Sequence, residues 1–164
     1  MFTKRGLLIY TQEVSEYWEE LLIDSGLNLI GIHSVGGPKA DQYVDQLLEQ
    51  VKTPQFQKFA KNLKEHGFTF EYELHALSWL VPRNLFATKP EWFRMNEKNE
   101  RVNDFNICAS NPQALEFLEK RSEELARQLP FHSDRYFFWL DDVKKSFCHC
   151  QECKDYSPSD QALI

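Results

Sequence analysis

Apolar positions along this chain switch repeatedly between a two-residue and a 3.6-residue period, the pattern of alternating strands and helices. Gly6-Leu7-Leu8-Ile9-Tyr10 reads as a short strand. Ser15 then caps a helix to about Asp24, with Tyr17, Trp18, Leu21 and Leu22 on one side and Gly26 ending it. Leu27 to His33 reads as a second strand, closed by the turn residues Ser34, Gly36, Gly37 and Pro38. From about Lys39 to Glu65 the spacing is helical, but Thr53-Pro54 must divide it, because the residue before proline avoids the helical region. The third strand, Phe68 to His75, alternates cleanly. Phe68, Phe70, Tyr72 and Leu74 take one face, and Thr69, Glu71, Glu73 and His75 take the other.

Residues 76–110 have weak periodicity and read as a long, lid-like loop; a loop of this length is usually functional or disordered, and its aromatics favour order. Asn111-Pro112 opens a helix to about Leu129, with Leu115, Leu118, Ser122 and Leu125 inward. Arg135 to Leu140 is a fourth strand, residues 141–158 form a cysteine-rich loop, and Pro158 to Ile164 opens another helix.

Alternating strands and helices imply parallel pairing through right-handed crossovers. No glycine-rich phosphate loop follows any strand, which removes the main support for a nucleotide-binding fold. Glu71, Glu73 and His75 in a row would be costly against a helix layer but suit a wet barrel lumen. The fold class expected is therefore α/β, the N-terminal half of a (β/α)8 TIM-like barrel spanning residues 1–164. Four strands cannot close such a barrel, so the pattern implies a segment of a longer protein.

Composition narrows the partners. The net charge of -6 argues against nucleic acid or an anionic membrane, since either needs a basic face. No apolar run approaches the ~20 residues that span a bilayer. A cytoplasmic location follows if Met1 is the natural start, and export remains open if the chain is a fragment. Open sheet edges invite self-association.

In a barrel the active site lies at the C-terminal ends of the strands. Tyr10, His33, His75, Asp141 and Asp142 fall there, and the long loop adds Trp79, Arg83 and Trp92. Asp141-Asp142 directly follows Tyr136-Phe137-Phe138-Trp139-Leu140, and two neighbouring carboxyls beside an aromatic wall can be driven to different protonation states, as glycosidic cleavage requires. The plainer reading is that they cap a turn. His33 and His75 can orient a substrate hydroxyl. Trp79 and Trp92 can stack on sugar faces or simply pack the loop.

Cys148-His149-Cys150-Gln151-Glu152-Cys153 is the densest motif. Its three thiolates can wrap one zinc ion, with Cys108 or His149 as fourth ligand; a four-thiolate site is closed and therefore structural. Unliganded or oxidised cysteines and an iron–sulfur cluster remain alternatives.

Lys89-Pro90-Glu91-Trp92-Phe93, Asn106 to Pro112, Phe147 to Cys153 and Ser157-Pro158-Ser159-Asp160 resemble a bacterial family of glycoside-hydrolase-like barrels, similar to α-glucuronidase and hexosaminidase barrels. The resemblance implies a carbohydrate substrate. It also makes Asp142 the general acid and Asp141 the residue that orients a substrate acetamido group. A non-catalytic carbohydrate-binding or scaffold domain with a zinc clamp is the alternative.

Overall fold

The computed structural model describes residues 3–104, 106–130, 133, 135–140 and 144–163. Asp141 and Asp142 lie outside the described residues. Strands β1 (Gly6–Tyr10), β2 (Leu29–His33), β3 (Thr69–His75) and β4 (Tyr136–Trp139) form one all-parallel sheet in the order β1-β2-β3-β4. Between them run α1 (Glu16–Asp24), α2 (Ala40–Gln50), α3 (Pro54–Glu65), the short α4 (Leu77–Leu80) and α5 (Pro112–Gln128), with α6 (Pro158–Gln161) last. The sheet is open. Among the described residues, β1 and β4 each pair with a neighbour along one edge only.

The helix boundaries follow from local chemistry. The side chains of Ser15, Thr53 and Asn111 accept hydrogen bonds from the backbone N–H groups of Trp18, Phe56 and Ala114, satisfying donors that a helix start leaves bare. Pro54 and Pro112 occupy the first turns of α3 and α5, where a missing N–H costs nothing. Gly26 takes a positive φ of 73° just past α1. The expected stripe of α1 is corrected by the structure: Leu22 is buried and Trp18 partly so, but Tyr17 and Leu21 are exposed.

Ile9, Ile30, Ile32, Phe70, Tyr72 and Leu74 point to the helix layer and join Leu22, Val44, Leu47, Phe56, Phe59 and Leu125 in one core. The opposite face carries Leu8, Tyr10, Gly31, His33, Glu71, Glu73, His75, Phe137 and Trp139, as the pairings Leu8↔Gly31↔Glu71, Tyr10↔His33↔Glu73↔Phe137 and His75↔Trp139 require. Among the described residues no helix covers this face, and Leu8 (48 % exposed), Tyr10 (36 %), Phe137 (39 %) and Trp139 (36 %) remain open to solvent.

The segment after β3 is not a bare loop. Beyond α4 it forms two 3-10 turns (Arg83–Ala87 and Pro90–Trp92), and its aromatics make a core of their own with Leu77, Val81, Trp92, Phe93, Ile107 and Ala114. A small antiparallel hairpin follows, with bridges Phe93↔Ile107 and Met95↔Arg101. Its periodicity is weak in sequence because these pieces are only three to five residues long.

Candidate metal centre and strand-end cluster

The hairpin delivers Cys108. Asn99, with φ of 62°, makes its tight end, and Asn96 Oδ1 accepts from the backbone of Lys98 (2.8 Å) and Glu100 (3.0 Å). Arg94 and Asp104 clamp its two limbs with a two-pronged ion pair. The backbone N–H of Cys108 donates to the Trp92 carbonyl at 2.8 Å, which fixes the thiol beneath the hairpin.

The loop after β4 delivers the other three thiols. His149 N donates to the Met95 carbonyl (2.9 Å), and Met95 N donates back to Cys148 Sγ (3.3 Å), so hairpin and loop are stitched together. Buried Asn106 adds a second stitch through Nδ2 to Ser146 O (2.8 Å) and Oγ (2.7 Å). Buried Gln161, from α6, braces the motif from below: its Oε1 accepts from Cys148 N (2.8 Å) and its Nε2 donates to Cys148 O (3.0 Å). Nothing in the sequence pattern singles out Gln161, because a polar residue in a short terminal helix carries no periodic signal.

Cys108, Cys148, Cys150 and Cys153 are all buried, and their sulfurs lie within 4.8 Å of one another. The Cys108 sulfur stands 3.6 Å from that of Cys150 and 3.8 Å from that of Cys153. A disulfide needs about 2.05 Å, and none is formed. Four thiolates at about 2.3 Å from one tetrahedral ion would be about 3.8 Å apart, so this donor set fits a single metal ion. His149 is not part of the group; its ring packs on Phe147, centroids 4.5 Å apart.

Electrostatics at the cluster are those of crowded thiols. Bonds from Cys148 and from Arg101 hold Cys108 down at about 4, despite burial. The Cys148 thiol is pushed up by its bond to Cys108 and by burial. Burial pushes Cys150 up to about 11. Arg101 donates to the Phe93 carbonyl (2.7 Å) and to Cys148 Sγ (3.8 Å). Burial works against its charge, yet its hydrogen bond to Cys108 and the charge there raise its pKa on balance. Sequence spacing did not identify this cation, since it comes from the hairpin rather than the motif.

A second cluster sits at the C-terminal ends of the strands. Tyr10 and His33 rings are 5.4 Å apart, His33 and His75 5.3 Å, and Trp139 lies 5.3 Å from His33 and 5.2 Å from His75. His33 Nδ1 contacts the Glu73 carbonyl (2.6 Å) and His75 Nδ1 the Leu140 carbonyl (3.0 Å). A carbonyl only accepts, so each Nδ1 carries a proton. Ser34 Oγ accepts from His75 N (3.0 Å), and a Cβ on Gly36 would come within 2.8 Å of the His75 ring, so only glycine lets the loop after β2 close over it. Trp139 joins the cluster as the register partner of His75, a relation invisible before the strands are paired.

The structure does not bring Trp79 or Trp92 to these strand ends. Trp79 donates to Asp45 Oδ1 (2.7 Å) under the Arg121 guanidinium, between α2 and α5. Trp92 is buried in the loop core against Phe117. Arg83 reaches the Pro38 carbonyl at 3.4 Å. No protein-family model matches the chain, and no curated protein sequence matches it.

Proposed function

We propose that this chain supplies half of a (β/α)8-type, glycoside-hydrolase-like barrel, in which a structural zinc ion braces the loops bordering a carbohydrate site. The observation that carries the barrel reading is the consecutive strand order with one bare face. Crossovers that all run in one direction put every helix on one side of the sheet, as a barrel does, whereas a doubly wound sheet reverses direction and covers both sides. The bare face then becomes the lumen, and the Tyr10, His33, His75 and Trp139 cluster sits at its mouth.

The cluster has the composition of a sugar site: flat aromatic surface beside imidazoles whose orientation is fixed by backbone carbonyls. Asp141 and Asp142 follow Leu140 in the chain, whose carbonyl is tied to His75. Under this reading Asp142 donates a proton to the leaving glycosidic oxygen. Asp141 orients the substrate's acetamido group, whose carbonyl oxygen attacks the anomeric carbon.

Zinc suits the four thiolates because it takes four soft ligands tetrahedrally, and with all four positions filled by sulfur it keeps none open for substrate. A multi-iron cluster would spread its thiolates over separate irons and needs them farther apart than 4.8 Å. The ion's part is therefore to hold the hairpin against the loop after β4.

The test is Asp142→Asn in the complete barrel, assayed for hydrolysis of N-acetylated glycosides and, separately, for glycan binding. Turnover falls by at least ~1,000-fold with binding retained if Asp142 is the acid. An active variant overturns the catalytic assignment, and binding with no turnover in the unaltered protein favours a carbohydrate-binding scaffold.

A further inference from the structure

Beside the metal centre lies an apolar cavity of about 230 Å³. Ile107, Ala109, Leu140, Phe147 and Pro158 line it, and Asn106 is set among them. Its walls come from the hairpin, the end of β4 with the loop that follows, and α6.

One polar atom in this wall is left unanswered. Asn106 is 5 % exposed, and its Nδ2 donates to Ser146 O (2.8 Å) and Oγ (2.7 Å). Those bonds occupy the donor end of the amide and fix which end is oxygen. Turned over, the amide would set Oδ1 against the Ser146 carbonyl, acceptor on acceptor. Oδ1 is therefore held as an acceptor, and it is buried with no hydrogen-bond partner among the described residues. A buried acceptor without a donor is costly and uncommon in a folded protein. The other buried amide of the lining, Gln161, is fully engaged with the backbone of Cys148.

We propose that this cavity binds a secondary amide, whose N–H donates to Asn106 Oδ1 while its alkyl groups rest on the apolar lining. The wall calls for a donor, and the lining calls for that donor on a mostly apolar body; a charged or polyhydroxyl ligand would lose more hydration here than it recovers. A hydroxyl would bring lone pairs that the apolar lining cannot answer, whereas an amide N–H brings only a donor. The planar trans amide also points its carbonyl away from its N–H, so the carbonyl turns to the opening, where the exposed Lys145 ammonium stands at the rim. Size is sufficient: an apolar cavity of ~150 Å³ already holds a benzene ring. The amide can be a free small molecule or the N-acyl group of a sugar. This inference goes beyond the glycosidase reading and stands without it, because it uses the hairpin and the loop after β4 rather than the strand-end cluster.

The experiment is a nuclear magnetic resonance titration of the isotopically labelled, metal-loaded 164-residue chain. N-propylacetamide is compared with propyl acetate, an ester of the same shape that lacks the N–H. The Asn106 side-chain amide and the backbone amides of Ile107 and Phe147 should shift together, with half-saturation on the order of 1 mM for so small a ligand. The ester should bind about 10-fold more weakly, because it leaves Oδ1 without a donor. Methyl N-acetylglucosaminide and methyl glucoside separate the two sources: a response to the first sugar and not the second means that the amide arrives on a glycan, and a response to N-propylacetamide alone means a free amide. Ala109→Leu, which fills the cavity, should abolish the response while the chain keeps its metal. Equal binding of amide and ester overturns the proposal, since Asn106 then plays no part. No shift of these signals up to the solubility limit of the amide also overturns it, as when water alone answers Oδ1, and so do shifts confined to the strand ends. All three are read on the unaltered chain, so a variant that fails to fold does not blunt the test. No turnover is measured, so failure here and failure of the Asp142 assignment are told apart.

Discussion

Gln161 sits eight residues beyond the last cysteine, yet its amide answers the backbone of Cys148 on both sides, accepting at 2.8 Å and donating at 3.0 Å. Both partners are buried, so removing the amide strands a donor and an acceptor away from water. Gln161→Ala is expected to cost about 1–3 kcal/mol in chemical denaturation. Because the same bonds set the direction of Cys148, it should also weaken metal affinity about 10–100-fold in a competition assay with a chromogenic chelator, as loss of an outer-shell partner does. Gln161→Glu makes the useful contrast: it keeps the acceptor but loses the donor. Arg101 and Trp139 share Gln161's character, since each acts through neighbours that are distant in sequence.

At the scale of elements, the ties between hairpin and cysteine loop include the bonds of Met95 to His149 and Cys148, of Asn106 to Ser146 and of Arg101 to Cys148, the Glu97–Lys145 ion pair and the sulfur cluster. The main core of sheet and helices lies elsewhere and shares none of its buried residues with the cluster. Metal removal is therefore expected to loosen residues 93–108 and 144–156 while the sheet stays protected. Cys108→Ser should reproduce the effect of a chelator, because it removes the one thiolate that the hairpin contributes. Hydrogen exchange on both samples checks this; equal loss of protection across β2 and β3 would instead mean that the centre supports the whole fold. The capped helices α3 and α5 were readable from sequence because Thr53-Pro54 and Asn111-Pro112 act within one turn. The pieces after β3 were not, being shorter than any period that would reveal them.

For the molecule as a whole, the bare face contributes a pH-dependent part of the stability through Glu73. Burial, then the neighbouring Glu71 carboxylate, raise Glu73 above its usual 4.5, with His33 opposing. A carboxyl whose pKa is raised by folding binds its proton more tightly in the folded state, so its contribution favours folding at low pH. That contribution is lost as pH climbs from 4.5 through the folded value. Glu73→Gln, which keeps the shape without the charge, should therefore be more stable than the parent at neutral pH, with the difference vanishing below 4.5. Urea titrations across that range check the sign. A parent that gains on the variant as pH rises would show that Glu73 is held by a favourable partner.

Features that act locally or periodically are legible in the chain before it folds. It specified the strand and helix order, the caps, the two faces of β3, and the gathering of three cysteines within six residues. In sequence Cys108, the one remaining cysteine, is on a par with His149 as fourth ligand; folding breaks the tie, because the hairpin carries its sulfur to 3.6 Å from that of Cys150. The tertiary structure alone decided that Tyr10, His33, His75 and Trp139 converge, that Trp79 and Trp92 do not join them, and that one sheet face stays bare. The reason is that strand pairing in register turns separations of 23 to 64 residues into neighbouring rings, and no local propensity encodes register between strands.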